Sequence, residues 1–165
     1  MSGFEAQSLR ARHLDLEVEI VEPSSAEWVL RVPSASARAL LSRLREEEEG
    51  GFRCLVDLTA IDRGVGAHRF EVVYRLRAAE AGQGLRIHAT VAEDPDSGVP
   101  VIDSVTALWP VANWLEREVF DLFGIRFRGH PDLRRILLEE TFVGAPLRKD
   151  HALRLDPVLP AEETS

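Results

Sequence analysis

A period of two runs through this chain and narrows its possible folds more than any other feature. Phe70, Val72, Tyr74 and Leu76 alternate with Arg69, Glu71, Arg75 and Arg77; Leu85, Ile87, Ala89 and Val91 alternate with Arg86, His88 and Thr90. Successive side chains of a strand point to opposite faces, so each run has one apolar and one wet face. Two earlier segments read the same way. Leu16, Val18 and Ile20 alternate with Asp15, Glu17 and Glu19, and Phe52, Cys54, Val56 and Leu58 mark another strand, with Cys54 as a small buried hydrophobe. A further strand spans Trp28 to Val32. Strands of this kind are covered by helices on one side only, which predicts a two-layer α+β sandwich.

The connecting segments carry their own signals. Residues 4–12 have the pattern of a short helix. Pro33 ends the second strand, and Ser34 or Ser36 is placed to cap a helix with the stripe Ala37, Leu40, Leu41 and Leu44. The acidic run Glu46–Glu49 falls at that helix's C-terminal end, where the macrodipole disfavours it, so a solvated, fraying end is expected. Residues 62–68 and 78–84 contain glycines at hairpin lengths, and 93–103 reads as a loop. Thr106 is then a plausible N-cap for a helix ending at Phe123, with Pro110 in its first turn and Gly124 closing it. Its core stripe is Leu108, Ala112, Leu115, Val119 and Leu122. Trp109, Trp114 and Phe120 lie off the stripe, so this helix should be covered on a second side, by the chain's own tail or by another protein.

From Ile125 onward no period is sustained. Residues 126–154 hold seven Arg or Lys against four Asp or Glu, on a chain of net charge -8. The organisation expected is a body over 1–124 and an extended arm over 125–165. A basic, loop-rich arm on an acidic body needs an acidic surface to lie against, whether its own or a partner's.

Composition excludes several classes. The negative balance and pI near 5.2 argue against nucleic acid and against direct attraction to anionic lipid. No stretch approaches the roughly 20 apolar residues that span a bilayer, and the N-terminus lacks a secretory signal's apolar core, so a cytosolic address is the default. One cysteine allows neither a disulfide framework nor an all-cysteine iron–sulfur site. Gly64-Val65-Gly66 has no third glycine opening a helix, so it reads as a hairpin rather than a dinucleotide fingerprint.

The acids of the last helix admit an enzymatic reading, in which Glu116, Glu118, Asp121 and His130 form a metal or acid–base cluster. Glu116 and Glu118 are two apart and diverge around the helix; Asp121, three beyond Glu118, is better placed to meet it. That is a weak ligand set beside a His-x-x-x-His motif, and a free-standing hydrolase is the less favoured class. Solvated helix charges, or charges buried at an interface flanked by Trp114 and Phe120, account for the same residues. His130-Pro131-Asp132 reads as a neutral histidine bonded within a tight turn, and Arg134-Arg135 and Arg148-Lys149-Asp150 as salt-bridge anchors.

The order of these pieces carries a resemblance. Ser104–Leu138, with Glu116-Arg117-Glu118, Asp121-Leu-Phe-Gly-Ile125 and Gly129-His-Pro-Asp-Leu-Arg-Arg-Ile-Leu137, together with Gly144-Ala-Pro-Leu-Arg-Lys-Asp150, resembles the C-subunit family of respiratory NADH:quinone oxidoreductase (complex I, the 30 kDa subunit family). Leu55–Asp62 and Arg69–Leu76 are similar to it more loosely. The resemblance implies an α-β-β-α-β-β-β sandwich with a mixed sheet, then a helix and an extended C-terminal arm. It implies a cofactor-free scaffold in a complex that passes electrons from NADH to quinone, coupled to proton translocation. FMN, iron–sulfur clusters and quinone are then expected on partner subunits. The arm would wrap the quinone-site D subunit on the cytoplasmic side of the cell membrane, which this chain meets only through the complex. Trp109, Trp114, Glu116, Arg117, Glu118, Phe120, Asp121, His130, Asp132, Arg134, Arg135, Pro146, Leu147, Arg148, Lys149 and Asp150 are the contact residues so implied. An equivalent scaffold of a membrane-bound hydrogenase-type complex is the alternative. After Asp150 this chain has His151-Ala152 where the family shows an aromatic residue and Pro.

Overall fold

The alternating segments form a five-stranded mixed sheet in the computed structural model, which describes residues 14–21, 28–47, 51–66, 68–78 and 84–151. The helix expected over 4–12 and the end of the acidic run, Glu48 and Glu49, lie outside them. After a 3₁₀ turn at Leu14–Leu16 come β1 (Glu19–Val21), β2 (Trp28–Pro33), α1 (Ser34–Glu46), β3 (Cys54–Asp62), β4 (Phe70–Arg77) and β5 (Gly84–Val91). The order across the sheet is β1-β2-β5-β4-β3; β2 and β5 run parallel and the other pairs antiparallel. Register aligns Ile20, Leu30, Ile87, Tyr74 and Leu58 in one row across all five strands. A one-residue slip anywhere in that row would turn a strand's apolar set to solvent.

The same row faces the helical layer. Ala37, Leu40, Leu41 and Leu44 of α1 are buried in one core with Leu30, Tyr74, Leu85 and Ile87. Each fully buried leucine contributes about 1.5–3 kcal/mol. The helix starts without the serine cap that the sequence suggested. Pro33, with φ -62 and ψ 149, occupies the N-cap position and makes no side-chain cap bond. The strand runs directly into the helix there, so Ser34 is already inside the first turn.

β3 corrects the expected alternation. Leu55 pairs with Leu76 and Asp57 with Arg75, so Val56 is the extra residue of a β-bulge. The bulge reverses the phase: Leu55, Leu58 and Ala60 turn inward, while Cys54 and Val56 are exposed. Cys54 is therefore not the buried hydrophobe expected. On the face opposite the helices, Glu71 is gripped by Arg63 at 2.9 Å and meets His88 Nδ1 at 2.9 Å.

Three more elements complete the fold: β6 (Val101–Asp103), α2 (Ala112–Phe123) and β7 (Arg126–Arg128). α2 starts later than Thr106, because residues 106–111 form successive turns and Val111 is its N-cap, with no side-chain cap bond. Gly124 closes it as expected, in the left-handed region at φ 69. β7 pairs parallel with β6, Phe127 beside Ile102, and Ile125 and Phe127 are buried in the core. The segment expected to begin an arm at 125 thus opens with a strand that packs with the body.

Candidate partner interface

α2 distributes its side chains over three directions. Ala112, Glu116, Val119 and Phe123 are buried, with the three apolar members in the sheet's core. Arg117 and Asp121 are also buried, but toward the arm. Trp114 and Glu118 face solvent, Trp114 at 62% exposure, and Phe120 is half-buried. The second cover inferred for this helix is, through residue 151, the chain's own tail.

Asp121 organises that cover. One carboxylate oxygen accepts the amide N–H groups of Ile136, Leu137 and Leu138 at 3.0, 2.8 and 3.0 Å. The other accepts Arg135 Nη1 at 2.7 Å. Three consecutive N–H groups converging on one oxygen make a backbone anion nest, here occupied by the protein's own carboxylate. Burial alone would push this carboxyl up, but those amides and the guanidinium outweigh it and hold it below the usual carboxylate range. Arg117 works in the opposite sense. Its Nε and Nη2 donate to the carbonyls of Arg134 and Arg135 at 3.0 and 3.3 Å, and its guanidinium lies 5.2 Å over the Trp114 ring. Arg135 also donates to the carbonyls of Phe142 and Gly144 at 3.2 and 3.0 Å. His130 bonds the Asn113 carbonyl through Nε2 at 3.1 Å and accepts the Asp132 N–H on Nδ1 at 3.0 Å, an arrangement that a neutral ring satisfies. Asp132 is exposed and pairs with Arg134 at 2.9 Å.

A second clamp fixes the arm's end. Asp62, buried at the end of β3, receives a bidentate Arg69 at 3.0 and 2.9 Å, the Gly64 N–H at 2.7 Å and the Lys149 N–H at 2.8 Å. The Arg69 bond leads the set that holds the Asp62 carboxyl well below its ordinary range. Arg69 also reaches Asp150 at 2.7 Å. Leu147 N–H donates to Leu122 O at 3.0 Å, and Arg148 Nε donates to Phe123 O at 2.8 Å. Arg69 and Arg148 lie 4.6 and 4.9 Å over the Phe70 ring. Pro146 is half-buried beside these contacts, and Lys149 is exposed.

Two expected contact residues turn inward. Trp109 is buried and donates its indole N–H to Arg53 O at 3.0 Å; Glu116 has no exposure and accepts the Val105 N–H at 2.7 Å. Neither presents a face to a neighbour. The acid–base cluster does not assemble either, since Glu116 points into the core, Glu118 to solvent, Asp121 into its nest and His130 onto Asn113. Asp62 and Arg69, the arm's end clamp, were not among the predicted site residues. One signal was present: Asp62 continues the inward phase of Leu58 and Ala60, so it is a charge on an apolar stripe.

Among the exposed residues of the arm are large apolar ones as well as charges: Leu137 is 60% exposed, Val143 88% and Leu147 51%, with Phe142 also exposed; Trp114 of α2 and its N-cap Val111 are exposed too.

The sequence pattern of the family described as "Respiratory-chain NADH dehydrogenase, 30 Kd subunit" matches residues 30–156. The NADH-quinone oxidoreductase C subunit of Trichlorobacter lovleyi is 46% identical over 135 residues, 81% of this chain and 80% of that protein. The NADH-quinone oxidoreductase C/D subunit of Methylococcus capsulatus is 38% identical over 149 residues, 85% of this chain and 25% of its own length. Among the first curated relatives the matched region spans from 51% to 81% of their length. A chain of the solved membrane-bound sulfane sulfur reductase, an archaeal respiratory membrane complex, shares the fold, with TM-score 0.73, 24% identity and coverage of 90% of this chain and 84% of that one.

Proposed function

The chain belongs to the 30 kDa subunit family of respiratory-chain NADH dehydrogenases, and from that premise we propose that it is a scaffold that docks the quinone-site D subunit of an NADH-quinone oxidoreductase. The observation that carries this is the arm. Asp121, Arg117, Asp62 and Arg135 tie its backbone to the body, while Leu137, Phe142, Val143 and Leu147 are exposed. A segment held this rigidly presents an ordered apolar surface, and ordering before binding lowers the entropic cost of association. The choice of partner is supported by the relative called C/D, in which a region like this one lies within a longer chain.

On this reading the electron carriers, FMN and iron–sulfur clusters, and the quinone lie on partner subunits, since one cysteine cannot ligate a cluster. The chain's role in coupling electron transfer to proton translocation is to keep that neighbour in register. On the same reading the chain sits on the cytoplasmic side and meets the membrane only through the complex; no helix among the described residues is long and apolar enough to cross a membrane. The names of the relatives favour the quinone oxidoreductase over the hydrogenase-type complex.

The charges move from the proposed contact to its support: Asp121, Arg117 and Arg135 hold the arm, and the apolar residues meet the neighbour. The double substitution Val143→Asp, Leu147→Asp should reduce co-purification with the quinone-site neighbour at least tenfold, as loss of central apolar contacts does at interfaces, and leave the thermal unfolding of the isolated chain unchanged. Full recovery of the neighbour with this variant would defeat the docking reading.

A further inference from the structure

α2 holds one buried acid that neither the arm nor the outward surface uses. Glu116 has no solvent exposure; Oε1 accepts the Val105 N–H at 2.7 Å and Oε2 has no hydrogen-bond partner. The hydroxyl of Tyr74, on β4, is likewise buried and unpartnered, and Glu116 acts on it electrostatically. Native proteins leave few buried polar atoms unpaired, so each such atom calls for an explanation.

The charges on the elements around Glu116 are paired elsewhere or, like Glu118 of α2 and Arg126 of β7, exposed to solvent. From the 104–106 segment, the Val105 N–H and the Ser104 hydroxyl act on it. On β6, Asp103 is paired with Arg128 of β7 at 2.6 Å. On β3, Asp57 accepts the Leu58 N–H and Asp62 holds Arg69. On α2 itself, Arg117 donates to the arm's carbonyls and Asp121 accepts its amides. No ion pair with Glu116 occurs among the described residues, so only the Val105 N–H and the Ser104 hydroxyl offset the loss of water by its charged form, and burial outweighs them.

We propose that Glu116 is a proton-binding site: neutral in the seated core, and charged only at the expense of α2's fit against the sheet. The consequence reaches the arm, because the same helix carries Arg117 and Asp121, which hold residues 134–138. Burial pushes the Glu116 carboxyl up to about 7, against the opposing pull of the Val105 N–H and the Ser104 hydroxyl. A folded value above the unfolded one means that the stabilisation is complete below about pH 4.5 and is lost as pH rises through about 7.

The full chain and its Glu116→Gln variant test this. Infrared spectra of the wild type should show a neutral carboxylic acid carbonyl band at pH 6 that fades through about pH 7 and is missing in Glu116→Gln. The wild-type unfolding constant should rise about tenfold per pH unit between about pH 5 and 7 and then level, a rise that the variant lacks. The protection factors of the Ile136, Leu137 and Leu138 amides, corrected for the intrinsic rise of exchange with pH, should fall over the same interval in the wild type and not in Glu116→Gln. Absence of the band at pH 6, or parallel pH profiles in the two proteins, would overturn the proton site; exchange that ignores the titration would overturn its link to the arm. If Glu116→Gln fails to fold, the wild-type band decides.

Discussion

The sheet and the arm are held by opposite means. The sheet buries Leu30, Tyr74, Ile87 and their neighbours against Leu40, Leu41 and Leu44, and its apolar contacts are interchangeable within limits of volume. The arm from 129 to 151 buries little beyond Ala145 and is fixed by two aspartates that collect backbone N–H groups. Hydrophobic burial tolerates substitution and is indifferent to pH; a carboxylate in a nest depends on one atom and its charge. An element without periodicity is therefore not an element without structure. It gains its order from a few ionic clamps rather than from a stripe.

The difference can be broken at each end. The largest effect is expected from Asp121→Ala, which strands Arg135 and three amides: the arm should lose about 3–5 kcal/mol of opening free energy, read by amide exchange at Ile136–Leu138, while the exchange of β4 and β5 is unchanged. Leu40→Ala should cost about 2–5 kcal/mol in denaturant unfolding, with sheet and arm lost together, because unfolding of the sheet releases the arm that is clamped to it. If Asp121→Ala lowered sheet protection equally, the two regions would be one cooperative unit. The smallest effect is that of mild acid. Asp62, Asp121 and Asp150 all have folded values below the ordinary carboxylate range, so their contribution is present above about pH 4 and is lost as pH falls below it. Fluorescence of a label near the arm's end should change before the far-ultraviolet circular dichroism does.

The legibility of the chain follows the same division. β4, β5 and the stripe of α1 could be read because their environment is set by residue type. The phase of β3 could not, because Cys54 and Val56 are as apolar as the residues that replace them inside, and a bulge leaves no mark in composition. The site was half legible. The residue types on α2 and the arm drew attention to the right segments, but Glu116 and Asp121 were read as contacts for another protein. Their partners are main-chain amides of Val105 and of residues 136–138, and a sequence does not display where its backbone will bend. The burial of Trp109 escaped for a related reason: its turn precedes the helix, so helical spacing could not place it.

The parallel pairing of β2 with β5 has a consequence for how the molecule is made. Trp28 meets Leu85 only after α1 and two further strands have been laid down, so the centre of the sheet is closed by a long excursion of the chain. Hairpins β3–β4 and β4–β5 can zip early from neighbouring residues, whereas β1 and β2 must wait for β5 to offer its free edge. Nucleation in β3–β5 is thus favoured, and an emerging polypeptide exposes the β2 edge of its N-terminal strand pair until the fifth strand is synthesised.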